Sequence, residues 1–111
     1  MSGMSKFTLD DLAKRVHERA KASESESYTR ALLNKGVAHC AKKLGEEAVE
    51  TAMAAVQEDK DRLVAEAADL VYHLLVLLEA RGVTLAEVEA ELEKRTAQSG
   101  HEEKASRKQK A

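Results

Sequence analysis

The chain has 111 residues, 18 Lys and Arg against 20 Asp and Glu, and a net charge of −2. That balance offers no basic field for nucleic acid or an anionic membrane. No apolar run reaches transmembrane length, and the start, MSGMSKFTLDD, has no signal-peptide apolar stretch. With no Pro, no Trp, two Tyr, one Phe and abundant Ala, Leu, Glu and Lys, the composition favours helix and offers little for a sheet. The single cysteine, Cys40, excludes an internal disulfide framework and suits a reducing compartment, so a cytoplasmic, all-α protein is expected.

In FTLDDLAKRVHERAKA, the apolar positions Leu9, Leu12, Ala13, Val16 and Ala20 fall at helical spacing, with Thr8 as N-cap and Asp11 in the first turn. SESES interrupts, and YTRALLNKG reads as a short helix starting near Ser27 or Thr29 and ending before Gly36. From Val37 a long helix carries an apolar stripe through Ala41, Leu44, Ala48, Ala52 and Ala55, with Val56 beside it. Gly45 inside it costs roughly 1 kcal/mol against Ala, which predicts a close backbone contact or a passing ligand. After the turn QEDKD, a helix from about Lys60 to Arg81 is apolar on nearly every side through LVYHLLVLL. So small a chain cannot easily surround such a helix, and a homodimer is expected to cover it. Thr84 and Glu87 form a capping box opening the last helix. The predicted organisation is one helical domain, residues 1–98, and a basic tail, 99–111. The predicted fold is a small bundle around a long antiparallel hairpin, a four-helix-type assembly completed by dimerisation.

The acidic residues are the candidate site. Glu47 and Glu50 share one helix face, and so do Glu66 and Asp69 on the next helix. In an antiparallel hairpin folding back at Glu58, Glu50 comes level with Glu66 and Glu47 with Asp69. Carboxylates so close raise each other's pKa and destabilise the hairpin; a cation resolves this. An all-oxygen set argues for Mg²⁺ or Mn²⁺ over zinc, and no Glu-x-x-His is present to suggest a di-iron bundle. Solvated surface is the competing reading, as for most charge runs. Mg²⁺ on carboxylates keeps positions for substrate phosphates, so phosphoanhydride hydrolysis is the expected chemistry. The substrate then needs cations: Lys42 and Lys43 precede the glutamates by one turn, and Arg95, Lys104 and Arg107 can arrive from the last helix and tail. His73 continues the Glu66–Asp69 face, either as a partly buried side chain or as a substrate contact.

Glu46-Glu47-x-x-Glu50 followed by Glu66-x-x-Asp69 resembles the signature of the all-α nucleoside triphosphate pyrophosphohydrolases, the MazG-like superfamily. Within it, SYTRALLNKG, KKLGEEAVETAMAA, EAADLVYHLLVLL and SGHEEKASR are similar to the phosphoribosyl-ATP pyrophosphohydrolase family. The resemblance implies conversion of phosphoribosyl-ATP and water to phosphoribosyl-AMP and pyrophosphate, the second step of histidine biosynthesis, without a fused cyclohydrolase. It also implies Glu47, Glu50, Glu66 and Asp69 as Mg²⁺ ligands. Glu46 would be a second-metal ligand or the base that orients the attacking water, which puts Glu46 and Glu47 at the chemistry. The other readings are a housekeeping nucleoside triphosphate pyrophosphohydrolase and, in a different class, a non-catalytic helical adaptor with an acidic face.

Overall fold

The computed structural model describes residues 6–97, and within them every regular element is a helix. In order they are α1 (Leu9–Arg19), α2 (Tyr28–Asn34), α3 (Val37–Val56), α4 (Lys60–Ala80) and α5 (Leu85–Thr96). The tail from 99 on, including Lys104 and Arg107, lies outside the described residues.

Local chemistry sets the boundaries. Thr8 and Asp11 form a reciprocal capping box at α1, with bonds of 3.1 and 3.0 Å, and Thr84 and Glu87 repeat it at α5. Ser27 caps α2 by accepting from the Arg30 N–H at 3.1 Å, and its hydroxyl donates to the Arg19 carbonyl at 2.9 Å. Asp59 caps α4 by accepting from the Arg62 N–H. α4 ends in a Schellman motif: Val83 N–H donates to the Leu78 carbonyl and Gly82 N–H to that of Glu79. Gly82 is there at φ 68°, in the left-handed region that favours glycine.

α3 and α4 form the long hairpin, turning through Gln57, Glu58 and Asp59. Without a glycine in that turn, Glu58 itself takes φ 61°. α1 and α2 pack on the hairpin, and the core gathers Val16, Leu32, Cys40, Leu75 and Val76, with Leu85 of α5 packed against its edge. The Cys40 thiol is buried and donates to the Leu32 carbonyl at 3.3 Å. Nothing else of α5 reaches the core, and no residue of that helix is buried.

The structure gives the apolar stripe of α3 its side and changes the expectation for Gly45. The α3 stripe does not face this core: Ala41, Ala48, Ala52, Ala55 and Val56 are exposed, Leu44 is half-buried, and the inward positions are Cys40, Glu47 and Ala54. Nor does Gly45 meet a close backbone, because a Cβ built there finds nothing within 4 Å. In α4 the apolar run divides, with Leu75 and Val76 buried, Leu77 and Leu78 half-buried and Leu74 exposed. Two short helices cover only one side of a hairpin about 30 Å long. Toward its turn Val49, Met53, Val56 and Val64 are left exposed.

Candidate active site

The hairpin brings Glu47, Glu66 and Asp69 together, with carboxylate oxygens all within 4.8 Å of one another. Glu47 occupies the inward face of α3 and is only 9% exposed. Its pKa is raised, first by burial and then by the charges of Glu50, Asp69 and Glu66. Arg62 reaches Glu66 at 3.8 Å, but no cation among the described residues lies within ion-pair distance of Glu47 or Asp69. The cluster is therefore short of positive charge.

Glu50 falls outside this threesome, although its charge acts on Glu47. Three residues along a helix rotate a side chain by about 300°, so Glu50 stands one flank round from Glu47. It lines a shallow hollow there with Gly45, Glu46 and Val49. Glu46 is exposed and pairs with Lys43 at 3.4 Å, an interaction that raises the lysine pKa and keeps the ammonium charged. Lys42 is exposed. Arg95, on α5, bonds Glu91 of its own helix at 2.9 Å.

His73 is 6% exposed, and its Nδ1 is buried without a hydrogen-bond partner among the described residues. Its pKa is lowered by burial first and by Lys43 second, against the opposing pull of Asp69 and Glu46. The neutral imidazole is thus favoured next to the acidic cluster. Its ring meets Tyr72 edge-on at 5.1 Å, and Tyr72 in turn stacks with Tyr28 at 6.4 Å and 18°. Sequence spacing gave no role to Tyr28 or Tyr72, which sit 44 positions apart on different helices. The available signal was compositional, two tyrosines in an aromatic-poor chain.

The donor set fits a hard divalent cation, with three carboxylates and no thiolate or imidazole among them. In an octahedral Mg²⁺ shell at about 2.1 Å, cis oxygens stand about 3.0 Å apart and only a trans pair about 4.2 Å, so the three have to draw in by at most about 1.8 Å. A separate groove of about 660 Å³ between α1, the end of α4 and the start of α5 contains none of these residues.

An all-helical hairpin with a carboxylate cluster on its inner face is the class of molecule that fold and site define. Comparison with known sequences makes it specific. The family model for phosphoribosyl-ATP pyrophosphohydrolase matches residues 9–96, and the chain belongs to that family. It is 62% identical over 106 residues to phosphoribosyl-ATP pyrophosphatase 1 of Bradyrhizobium diazoefficiens, covering 96% of this chain and 100% of the relative. To the phosphoribosyl-ATP pyrophosphatase of Azorhizobium caulinodans it is 63% identical, over 92% of this chain and 94% of the relative. To that of Nitrobacter winogradskyi it is 61% identical, over 94% and 90%.

Proposed function

We propose that this chain hydrolyses phosphoribosyl-ATP to phosphoribosyl-AMP and pyrophosphate, the second step of histidine biosynthesis, with Mg²⁺ as cofactor. The observation that carries the reading is the Glu47–Glu66–Asp69 cluster in a member of this family, three hard ligands short of a counter-charge. Bound there, Mg²⁺ supplies neutralisation of the phosphate chain and acidifies water. Glu47, Glu66 and Asp69 hold it directly, and Glu50 completes the set from the flank. Glu46 is exposed beside them, placed to orient the attacking water or to hold a second ion. Lys43, kept charged by Glu46, meets the phosphates on one side, with Lys42 next to it. Arg95, Lys104 and Arg107 contribute cations from α5 and the tail. His73, buried beside the cluster with a neutral imidazole favoured, is the further residue this reading gives to substrate binding.

A second copy of the chain covers the outer face of the hairpin in this reading. Val49, Met53, Val56 and Val64, at 63%, 46%, 73% and 64% exposed, support it, because contiguous apolar surface of this kind marks an interaction site. The exposed small residues Ala41, Gly45, Ala48 and Ala52 allow a close helix approach. No described helix is long and apolar enough to cross a membrane, and the buried free thiol of Cys40 suits the reducing cytoplasm in which we place the reaction. The test is pyrophosphate release from phosphoribosyl-ATP with and without Mg²⁺, beside a panel of common nucleoside triphosphates. Metal-dependent release from phosphoribosyl-ATP in preference to the panel is expected. Equal turnover of the panel, or none of any substrate, refutes the reading.

A further inference from the structure

We propose that the exposed face of the Tyr28 ring is the platform on which the substrate's purine base stacks, making Tyr28 a binding residue of the reaction. The inference rests on the reading above that the ligand is a nucleoside triphosphate, and adds where its base goes. Tyr28 is 60% exposed, a large aromatic surface left to water in a chain with only two tyrosines and one phenylalanine. Phe7 already carries the Arg15 guanidinium over its ring at 4.7 Å, and Tyr72 is half-buried. Tyr28 is also held in place. Its neighbour Ser27, 4% exposed, caps α2 and bonds back to α1; its other neighbour Thr29, 2% exposed, bonds the Tyr72 hydroxyl at 2.6 Å. Tyr72 backs the ring at 6.4 Å and 18°, the offset-stacked arrangement that aromatic rings prefer. A ring fixed on one side and open on the other accepts a base with little ordering left to do, which is how preorganisation raises affinity.

The platform is also joined to the charged site. Lys43 lies within electrostatic reach of the Tyr28 hydroxyl on one hand and of Glu46 and Glu47 on the other. A nucleotide with its base on Tyr28 would therefore pass its phosphate chain by Lys43 on the way to the carboxylates. On the inner side the stack ends at His73, which fixes Tyr72 edge-on at 5.1 Å and so backs the platform from beneath.

Isothermal titration calorimetry of the full chain with ATP and with inorganic tripolyphosphate, both with Mg²⁺, separates the base from the phosphates. Tyr28→Ala should weaken ATP about tenfold, since base–aromatic stacking is worth about that much by alanine substitution. Tripolyphosphate should change by less than about twofold, because it offers nothing to stack. Tyr28→Phe keeps the ring and should restore ATP affinity to within about twofold of the native chain. Circular dichroism checks that both variants remain helical. Equal losses for ATP and tripolyphosphate, no loss for either, or no ATP binding by the native chain each overturn the proposal. Ring-dependent ATP binding without pyrophosphate release from phosphoribosyl-ATP would keep the platform and sink the hydrolase reading. Hydrolysis by the native chain with ring-independent binding would do the reverse.

Discussion

Neutralising Glu47 should make the metal-free protein more stable, not less. Glu47, Glu66 and Asp69 hold carboxylate oxygens within 4.8 Å of one another, and Glu47 is nine-tenths out of solvent. Two unit charges at that distance repel by about 3.5 kcal/mol at an effective dielectric near 20 and by about 0.9 kcal/mol in bulk water. Arg62 offsets part of the Glu66 charge, which leaves Glu50 and Asp69 as the main opponents. Relaxation of exposed Asp69 brings the net gain of Glu47→Gln to about 1–2 kcal/mol. In a domain of this size each kcal/mol moves Tm by about 4–8 °C. The variant in EDTA at pH 7 should therefore melt about 4–16 °C above the native chain, at one protein concentration.

The same repulsion carries a pH signature. The folded-state pKa of Glu47 is raised above 4.5, so the folded state binds the proton more tightly than the unfolded state. Its ionisation then removes stability as pH rises from 4.5 through the folded pKa, and the penalty is fully present at neutral pH. The advantage of Glu47→Gln should shrink as pH falls through the raised folded pKa, as the native carboxyl takes up its proton. His73 acts in the opposite sense: with its pKa lowered below 6.5, it removes stability as pH falls. That contribution is common to both proteins and cancels in the difference. Mg²⁺ should reverse the order, because ligand at 100 times its Kd adds about 2.7 kcal/mol to the native chain and the variant has lost a ligand. A variant less stable than the native chain in EDTA at pH 7, or an advantage that does not change with pH, refutes the charge-cluster reasoning.

Asp69→Asn and Glu50→Gln each remove a ligand and should each lower Mg²⁺-dependent pyrophosphate release by more than the roughly 10- to 100-fold that loss of an outer-shell partner costs; steady-state kinetics measures both. Glu58→Gly should raise Tm by several degrees in a circular-dichroism melt. It relieves a left-handed conformation costing about 1–2 kcal/mol, against about 0.5–1 kcal/mol for the flexibility of glycine. Met53→Glu places a charge in the exposed α3 patch and should shift sedimentation toward monomer at micromolar concentration without loss of helicity. Truncation after Gln98 should raise KM for phosphoribosyl-ATP by removing Lys104 and Arg107, most strongly at low salt.

Depth along the hairpin was legible in the sequence because it is one-dimensional. A short turn and constant residue sums place Glu47 level with Asp69 and the reversal at Glu58, and the structure turns there. Angle around the helix was less legible: levelling Glu50 with Glu66 ignores the rotation that puts Glu47, not Glu50, against both α4 carboxylates. Capping residues were readable where a side chain bonds its own first turn, as at Thr8, Ser27 and Thr84. The aromatic stack was not, since only tertiary packing brings Tyr28 to Tyr72.

The stripe on α3 is the most instructive difference. Its helical period was right, but a period shows that a helix has two faces without saying which one its own chain covers. Here the inner face carries Cys40, Glu47 and Ala54, and the outer one carries Ala41, Ala48, Ala52, Met53 and Val56. Lys42, Glu46 and Glu50 are exposed as charges usually are, so the departure from the amphipathic pattern is one buried carboxylate, Glu47, and an apolar strip left to water beside those charges. An outward-facing Glu47 would have its repulsion from Asp69 screened by solvent and would present no site. Turned inward it is desolvated and held against two more carboxylates. The hairpin can keep that arrangement only because α1 and α2 pack over the core at its other end and Ala54 lets α3 and α4 stay close near the turn. The apolar strip follows from the same rotation: with Glu47 inside, the small residues of α3 are left, beside the exposed Lys42, Glu46 and Glu50, to meet a second helix surface.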